Sequence, residues 1–147
     1  MTTRHDDRVV TAARDWIGTP YRHQASLKGV GCDCLGLIRG LWRELVGPEP
    51  ATVPPYAPDW SETQGQEWLM QAMMQHFPSA VADQAGNVVL FRMRSGAVAK
   101  HLGIATDSPS GPAVIHAYSG RVVCETPLCS AWQRRIVARF NFPERVL

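Results

Sequence analysis

The strongest constraint on the fold is an apolar stripe that runs through residues 34–45. Its members recur at steps of three and one residues, which places side chains on one face of an α-helix. They are Cys34, Leu37, Ile38, Leu41, Trp42 and Leu45. Asp33 stands directly before the stripe, where an N-cap residue belongs, and Gly47-Pro48 follows it and ends a helix. The pattern predicts a buried core helix that begins at Cys34.

Two further helices are predicted on either side of the core helix. Helical spacing of apolar residues predicts a first helix over about 6–17 and a third over about 68–77. The Pro-rich segment 48–60 predicts an extended connector, and residues 61–64 predict a capping box before the third helix. The predicted buried face of that helix consists of Trp68, Leu69, Ala72, Met73 and Phe77.

After Pro78 the apolar period changes from 3.6 residues towards 2, and Val, Ile and Phe become common. Strands are predicted over about 87–93, 102–106, 113–116, 122–125 and 135–142, with Gly- and Pro-containing turns between them. Helices followed by strands are typical of an α+β fold, in which N-terminal helices pack on one face of a C-terminal antiparallel sheet.

Length and composition exclude several classes of protein. The chain has 147 residues, 45% of them hydrophobic and 19% charged, which predicts one globular domain over residues 1–147. A net charge of +2 is too small to favour nucleic-acid binding. The sequence offers no apolar run of membrane-spanning length, and charged residues occupy positions where a signal peptide is apolar. We therefore expect cytoplasmic synthesis without a signal peptide, reduced cysteines and no membrane insertion.

One cysteine and two histidines are the candidate catalytic residues. Cys34 falls in the first turn of the core helix, where the helix dipole is expected to lower a thiol pKa. A thiol nucleophile needs a base, and the base needs an orienting partner. His101 precedes one predicted strand and His116 ends the next, 15 residues later. Two adjacent antiparallel strands could hold both imidazoles on one face.

Two other interpretations of these residues remain open at this point. Cys34 also lies on the apolar stripe, so it could be a small buried hydrophobe. Cys32, Cys34, His101 and His116 could alternatively bind zinc, since each residue type is a common zinc ligand. A Cys-x-Cys spacing is less typical of structural zinc than Cys-x₂-Cys, and we expect no metal.

Five segments occur in an order that identifies a family. They are 16–21 (WIGTPY), 33–37 (DCLGL), 88–91 (VVLF), 101–104 (HLGI) and 115–117 (IHA). Together they resemble the successive motifs of the NlpC-type cell-wall cysteine peptidases. Segments 32–42, 100–103 and 132–135 further resemble the branch encoded in the tail gene clusters of phages and gene transfer agents.

The resemblance implies a papain-like α+β fold and a set of roles. Cys34 is implied as the nucleophile, His101 as general base and acid, and His116 as the group that orients His101. Tyr21, with Asp33, is assigned to the substrate or oxyanion position, together with the backbone N–H of Cys34. No cofactor is implied. Leu35 departs from the family pattern, which has a small Ser after the nucleophile.

The implied function is hydrolysis of peptidoglycan stem peptides at the bond between γ-D-glutamyl and a diamino acid. We expect delivery by a phage-like tail, which would carry the enzyme to the periplasm and cell wall of a target cell. Tail hub or baseplate proteins are the expected partners. The alternative hypothesis is a tail or baseplate structural component that retains the fold with little or no catalysis.

Overall fold

Four helices lie in the parts of the chain that the computed structural model describes, residues 4–53, 67–118 and 120–144. They are α1 (His5–Arg14), α2 (Cys34–Leu45), α3 (Trp68–His76) and the short α4 (Ser130–Gln133). The predicted start of α2 at Cys34 is confirmed, as is Asp33 as its N-cap. The predicted capping box at 61–64 and most of the connector 48–60 lie outside the described residues.

Seven strands lie in the same described parts of the chain. The strands β1 (Ser26–Leu27) and β2 (Gly31–Cys32) form a small hairpin before α2. The remaining strands form an antiparallel five-stranded sheet in the order β6-β5-β4-β3-β7. They are β3 (Val88–Arg92), β4 (Ala99–Ser108), β5 (Gly111–His116), β6 (Cys124–Pro127) and β7 (Ile136–Phe140). The predicted α+β class is confirmed. No helix among the described residues is long and apolar enough to cross a membrane.

Several predicted boundaries were wrong for local reasons. α1 ends at Arg14 rather than at 17, because residues 15–18 form a turn that closes at Gly18 with a φ of +93°. The strand predicted over 122–125 begins at Cys124 and extends to Pro127, since its ladder with β5 pairs Pro127 with Ala113. The hairpin β1–β2 and helix α4 were not predicted because elements of two to four residues carry no periodic signal.

The two faces of the sheet are buried differently. Alternate residues of the central strands pack against the stripe of α2 and form the main core; they are Val88, Leu90, Leu102, Ile104 and Ile115. The residues between them form a smaller cluster with Leu128 and Trp132; they are Val89, Phe91, Ala105 and Val114. The segment after β6 therefore covers the face opposite to α2.

α3 buries a narrower strip than its sequence predicts. Leu69, Met73 and Phe77, spaced by four residues, are buried, whereas Trp68 is 42% exposed and Ala72 is also exposed. Side chains one position earlier lie about 100° further around the helix, beyond the contact with the core. The prediction that Trp68 is a core residue was wrong.

A β-bulge interrupts the start of β4. Phe91 pairs with His101 and Arg92 pairs with Ala99, so Lys100 is an extra residue on β4. Bulges bend a strand and re-aim the neighbouring side chains. This bulge lies directly before His101.

Candidate active site

The first turn of α2 is fixed by the Asp33 carboxylate. One carboxylate oxygen accepts from the backbone N–H of Gly36 at 2.7 Å, and the other accepts from the backbone N–H of Gln24 at 2.7 Å. Asp33 is 3% exposed, so this carboxylate connects the loop before the hairpin to the helix from inside the fold. Its capping role is confirmed, while its contact with substrate stays a prediction.

The same loop approaches α2 too closely for a side chain at Gly36. A Cβ added there would lie 1.8 Å from the carbonyl oxygen of Ala25. The Ser26 hydroxyl donates to the Gly36 carbonyl at 2.6 Å, which closes the contact from the other side. Gln24, in the same loop, has a φ of +66°, which lies in the left-handed region that non-glycine residues rarely adopt. The residues that flank Cys34 are thus held by several independent contacts.

The Cys34 thiol faces the bulge in β4. It is half-buried and donates to the Lys100 carbonyl oxygen, with a sulfur-to-oxygen distance of 3.6 Å. Because Lys100 directly precedes His101, the bulge brings the thiol to the start of the strand that carries the first histidine. The structure therefore brings together Cys34 and the His101 region, as the sequence predicts.

The two histidines form a hydrogen-bonded pair. Nε2 of His101 lies 2.8 Å from Nδ1 of His116, and Nε2 of His116 lies 3.0 Å from the Thr126 hydroxyl on β6. His101 is 7% exposed and His116 is 2% exposed. A ring nitrogen of a histidine can either donate or accept a hydrogen bond. The two hydrogen bonds in this series therefore hold both rings in one orientation, whichever tautomer is present.

Aromatic rings enclose this pair. The ring of Trp132 contacts His116 edge-on, with centroids 5.2 Å apart, and lies 5.8 Å from His101. Tyr118 packs edge-on against His101 at 5.7 Å, and Phe91 lies at the same distance from that ring. These contacts exclude water from most of the imidazole surface.

Sequence reasoning did not identify Thr126 or Tyr118 as site residues. The strand predicted over 122–125 stops one residue before Thr126, so its position beside His116 could not be inferred. Tyr118 follows β5 in a segment without periodicity. Alternation along the strand could have identified Thr126. His116 pairs with Cys124, and Thr126, two residues further along β6, lies on the same face of the sheet as Cys124.

Cys34 and His101 are both uncharged at neutral pH. Burial, reinforced by the nearby Asp33 charge, raises the pKa of Cys34 to about 12, although backbone N–H groups of Leu102, Leu35 and Cys34 itself oppose the rise. Burial lowers the pKa of His101 to about 3, with smaller contributions from His116 and Lys100. The expectation that the helix dipole lowers the thiol pKa was therefore wrong, because desolvation outweighs it.

His116 and Tyr21 are neutral for the same reason. Burial lowers the pKa of His116 to about 4. Burial raises the pKa of Tyr21 to about 12, and the Asp33 carboxylate raises it further. Tyr21 forms a β-bridge with Cys32, two residues before α2 begins, and its hydroxyl remains a hydrogen-bond donor at neutral pH.

The zinc interpretation is not supported by the geometry. No three His, Cys, Asp or Glu side chains among the described residues converge in a way that could hold a metal ion. Cys32 is fully buried in the main core, where burial raises its pKa to about 12. All four cysteines are free thiols, with Cys124 half-buried and Cys129 exposed.

Comparison with solved structures places this arrangement among known folds. A lipoprotein-like protein of the NLP/P60 family from Staphylococcus aureus superposes on 97% of this chain with a TM-score of 0.59 and 17% identity. The chain has the NLP/P60 fold. The match spans only 42% of the staphylococcal protein. An N-acetylmuramoyl-L-alanine amidase from Bacteroides uniformis also superposes, with a TM-score of 0.50 and 9% identity over 94% of this chain and 98% of that one.

No protein-family model matches the sequence, and no curated protein sequence matches it. The NLP/P60 fold is thus recognised through its three-dimensional arrangement. At identities below 20%, these likenesses establish the fold of the chain and leave its activity to be argued from the site.

Proposed function

We propose that the protein is a cysteine peptidase that hydrolyses peptidoglycan stem peptides. The observation that carries the proposal is a hydrogen-bonded series of three side chains, His101, His116 and Thr126, that begins beside the Cys34 thiol. The thiol contacts the carbonyl directly before His101, and the two imidazoles and the hydroxyl follow at 2.8 and 3.0 Å. A nucleophile, a base and an orienting group in series are the requirements of thiol-dependent acyl transfer.

The hydrogen-bond series favours one tautomer of the base. If Nε2–H of His116 donates to the Thr126 hydroxyl, then Nδ1 of His116 accepts from Nε2–H of His101. Nδ1 of His101 is then unprotonated and can accept the Cys34 proton. Thr126 is therefore a positioning residue, because it determines which nitrogen of His101 serves as the base.

The reaction starts from the neutral pair. The Cys34 sulfur attacks the amide carbonyl carbon while its proton moves to His101, and the new C–S bond gives a tetrahedral oxyanion. The carbonyl re-forms, the C–N bond breaks and His101 gives the proton to the leaving amine. A water molecule then attacks the thioester, its proton passing through His101 to the Cys34 sulfur, and the product acid leaves.

Two donors are suited to the developing oxyanion. The backbone N–H of Cys34 is in the first turn of α2, where helical N–H groups have no intrahelical acceptor. The protonated Tyr21 hydroxyl is the second donor. Such donors stabilise the transition state more than the ground state, because the charge appears only when the thiol attacks.

The substrate class is supported by the names of the fold neighbours. One belongs to the NLP/P60 family, and another is named an N-acetylmuramoyl-L-alanine amidase. We place the cleaved bond between γ-D-glutamyl and a diamino acid, following the sequence resemblance. The enzyme would reach the cell wall in a phage-like tail particle, with a tail hub or baseplate protein as its partner.

The decisive experiment is mass spectrometry of purified muropeptides after incubation with the reduced protein. We expect cleavage at the γ-D-glutamyl bond, its loss in Cys34→Ala, and its retention in the matched control Cys32→Ala, which removes a thiol two residues away. Release of the whole stem peptide would instead indicate the muramoyl amide bond. Cleavage that survives Cys34→Ala would contradict the proposed nucleophile.

An assay of particle assembly distinguishes an enzyme delivered by the tail from a structural component of the tail. If the chain is an enzyme, particles carrying Cys34→Ala should assemble normally and fail only in crossing the wall. Should wild-type chain leave muropeptides uncut, while its deletion prevents tail assembly, the structural role is correct. Absence of the chain from purified tail particles would rule out delivery by this route.

A further inference from the structure

A cleft rich in arginine opens at the end of β3. It has a volume of about 460 Å³ and is lined by residues from the β3–β4 turn and from the segment α4–β7. We call it the arginine cleft after four of its lining residues, Arg92, Arg94, Arg134 and Arg135. Among the described residues that line it there is no Asp or Glu. Arg134 and Arg135 give this concave surface a positive potential in a chain whose net charge is only +2.

The cleft is built on the elements that carry the histidine pair. Arg92 directly follows Phe91, which pairs with His101 across the β3–β4 ladder. The Arg92 guanidinium is held by the Glu67 carboxylate at 3.0 Å. The guanidinium of Arg135 lies 5.3 Å from the ring centre of Trp132, the same ring that contacts His116. One indole therefore separates the arginine cleft from the proposed catalytic pair.

We propose that the arginine cleft is a subsite that binds carboxylates of the substrate strand. Guanidinium groups recognise carboxylates through paired N–H donors, and they remain charged at every pH at which the enzyme could work. Because Trp132 contacts both imidazoles and Arg135, an anion bound in the cleft lies one ring away from the proposed base.

The inference rests on the proposed function, because it assigns the carboxylates to the peptidoglycan stem peptide. Glutamyl and diamino acid residues that are joined through side-chain amide bonds leave free carboxylates along the stem peptide. The cleft then selects stem peptides whose carboxylates are free over those whose carboxylates are amidated. Phosphate carried by a wall polymer has related chemistry, and the experiment below distinguishes the two sources.

The test measures binding separately from hydrolysis. Cys34→Ala protein is sedimented with three preparations of insoluble peptidoglycan: untreated, amidated at its carboxylates, and stripped of phosphate polymers. The same measurement is made after Arg134→Gln/Arg135→Gln and after a matched change at the start of α1, Arg4→Gln/Arg8→Gln, in the same background. Both pairs remove two positive charges, but Arg4 is the N-cap of α1 and Arg8 lies in α1, both outside the arginine cleft.

We expect the Arg134→Gln/Arg135→Gln change to weaken binding to untreated walls about tenfold or more, and the α1 change to weaken it much less. On amidated walls, the parent and the Arg134→Gln/Arg135→Gln protein should bind equally. Removal of phosphate polymers should have no effect. Equal losses from both pairs of changes, or binding that follows phosphate instead of carboxylate, would overturn the proposal. Muropeptide cleavage by the unmodified chain is scored independently, so the peptidase can be upheld while the subsite fails.

Discussion

Acidification should lower the free energy of unfolding of this protein, because it protonates two buried histidines in the unfolded chain. The replacement His116→Asn should remove the part of that decrease that is due to His116. His116 has a folded pKa of about 4, whereas an imidazole in an unfolded chain titrates near 6.5. Between these values the unfolded chain binds a proton that the native site excludes. Stability is therefore fully present above about pH 6.5 and falls as the pH drops towards 4.

The magnitude can be calculated from these pKa values. For a folded pKa near 4, lowering the pH from 7 to 5 reduces the free energy of unfolding by about 2 kcal/mol. His101, with a folded pKa of about 3, contributes about the same amount. Both folded pKa values lie below pH 5, so the native site excludes both protons over this whole range. The wild-type chain should thus lose about 4 kcal/mol from the pair.

Urea unfolding at pH 7, 6 and 5 measures the effect. Asn can still hydrogen-bond His101 and Thr126 but has no proton to gain, so His116→Asn should lose about 2 kcal/mol less than the wild type between pH 7 and 5. Carboxylates titrate in both proteins and cancel in the comparison. The substitution His5→Asn, at a histidine outside the site, controls for the general effect of replacing a histidine by asparagine. Identical slopes for His116→Asn and wild type would refute the neutral, buried pair.

Three further substitutions test the site. Tyr21→Phe removes one proposed oxyanion donor and should lower kcat in a muropeptide assay about 100-fold with little change in KM. Thr126→Val removes the acceptor for His116 while keeping the side-chain shape, and should lower kcat about tenfold; unchanged kcat would contradict the tautomer assignment. Gly36→Ala forces a Cβ against the Ala25 carbonyl and should reduce the free energy of unfolding by about 1–3 kcal/mol in urea titrations, whereas an unaffected midpoint would show that the loop moves freely.

The sequence determines the surroundings of Cys34 because those surroundings are local. Asp33 caps α2 through Gly36, three residues away, and the stripe from Cys34 to Leu45 fixes which face of the helix is buried. Each of these features depends on helical geometry alone. The position of Cys34 at the start of a core helix could therefore be predicted, and the α+β class followed from the change of period.

The rest of the site depends on register between distant strands. The contact between Cys34 and Lys100 requires the bulge in β4, and a bulge leaves no mark in a period-2 pattern. Thr126 meets His116 only because β6 is shifted two residues beyond its predicted start. The pKa of Cys34 was mispredicted for a related reason. The helix dipole can be inferred from the sequence, whereas the burial that raises the pKa depends on which residues pack over the start of α2.

A neutral thiol changes what the protein must provide for catalysis. With a resting thiolate, reactivity would come from the charge already on sulfur. In the proposed reaction the proton leaves Cys34 during attack, so the position of the accepting nitrogen matters more than either resting pKa. The fold supplies that position through several constraints: the bulge at Lys100, the bond from His101 to His116, and the Thr126 hydroxyl beyond it. A protonated sulfur is also slow to oxidise, because the thiolate is the form that oxidants attack. In the proposed reaction this protection ends only when His101 accepts the Cys34 proton during attack.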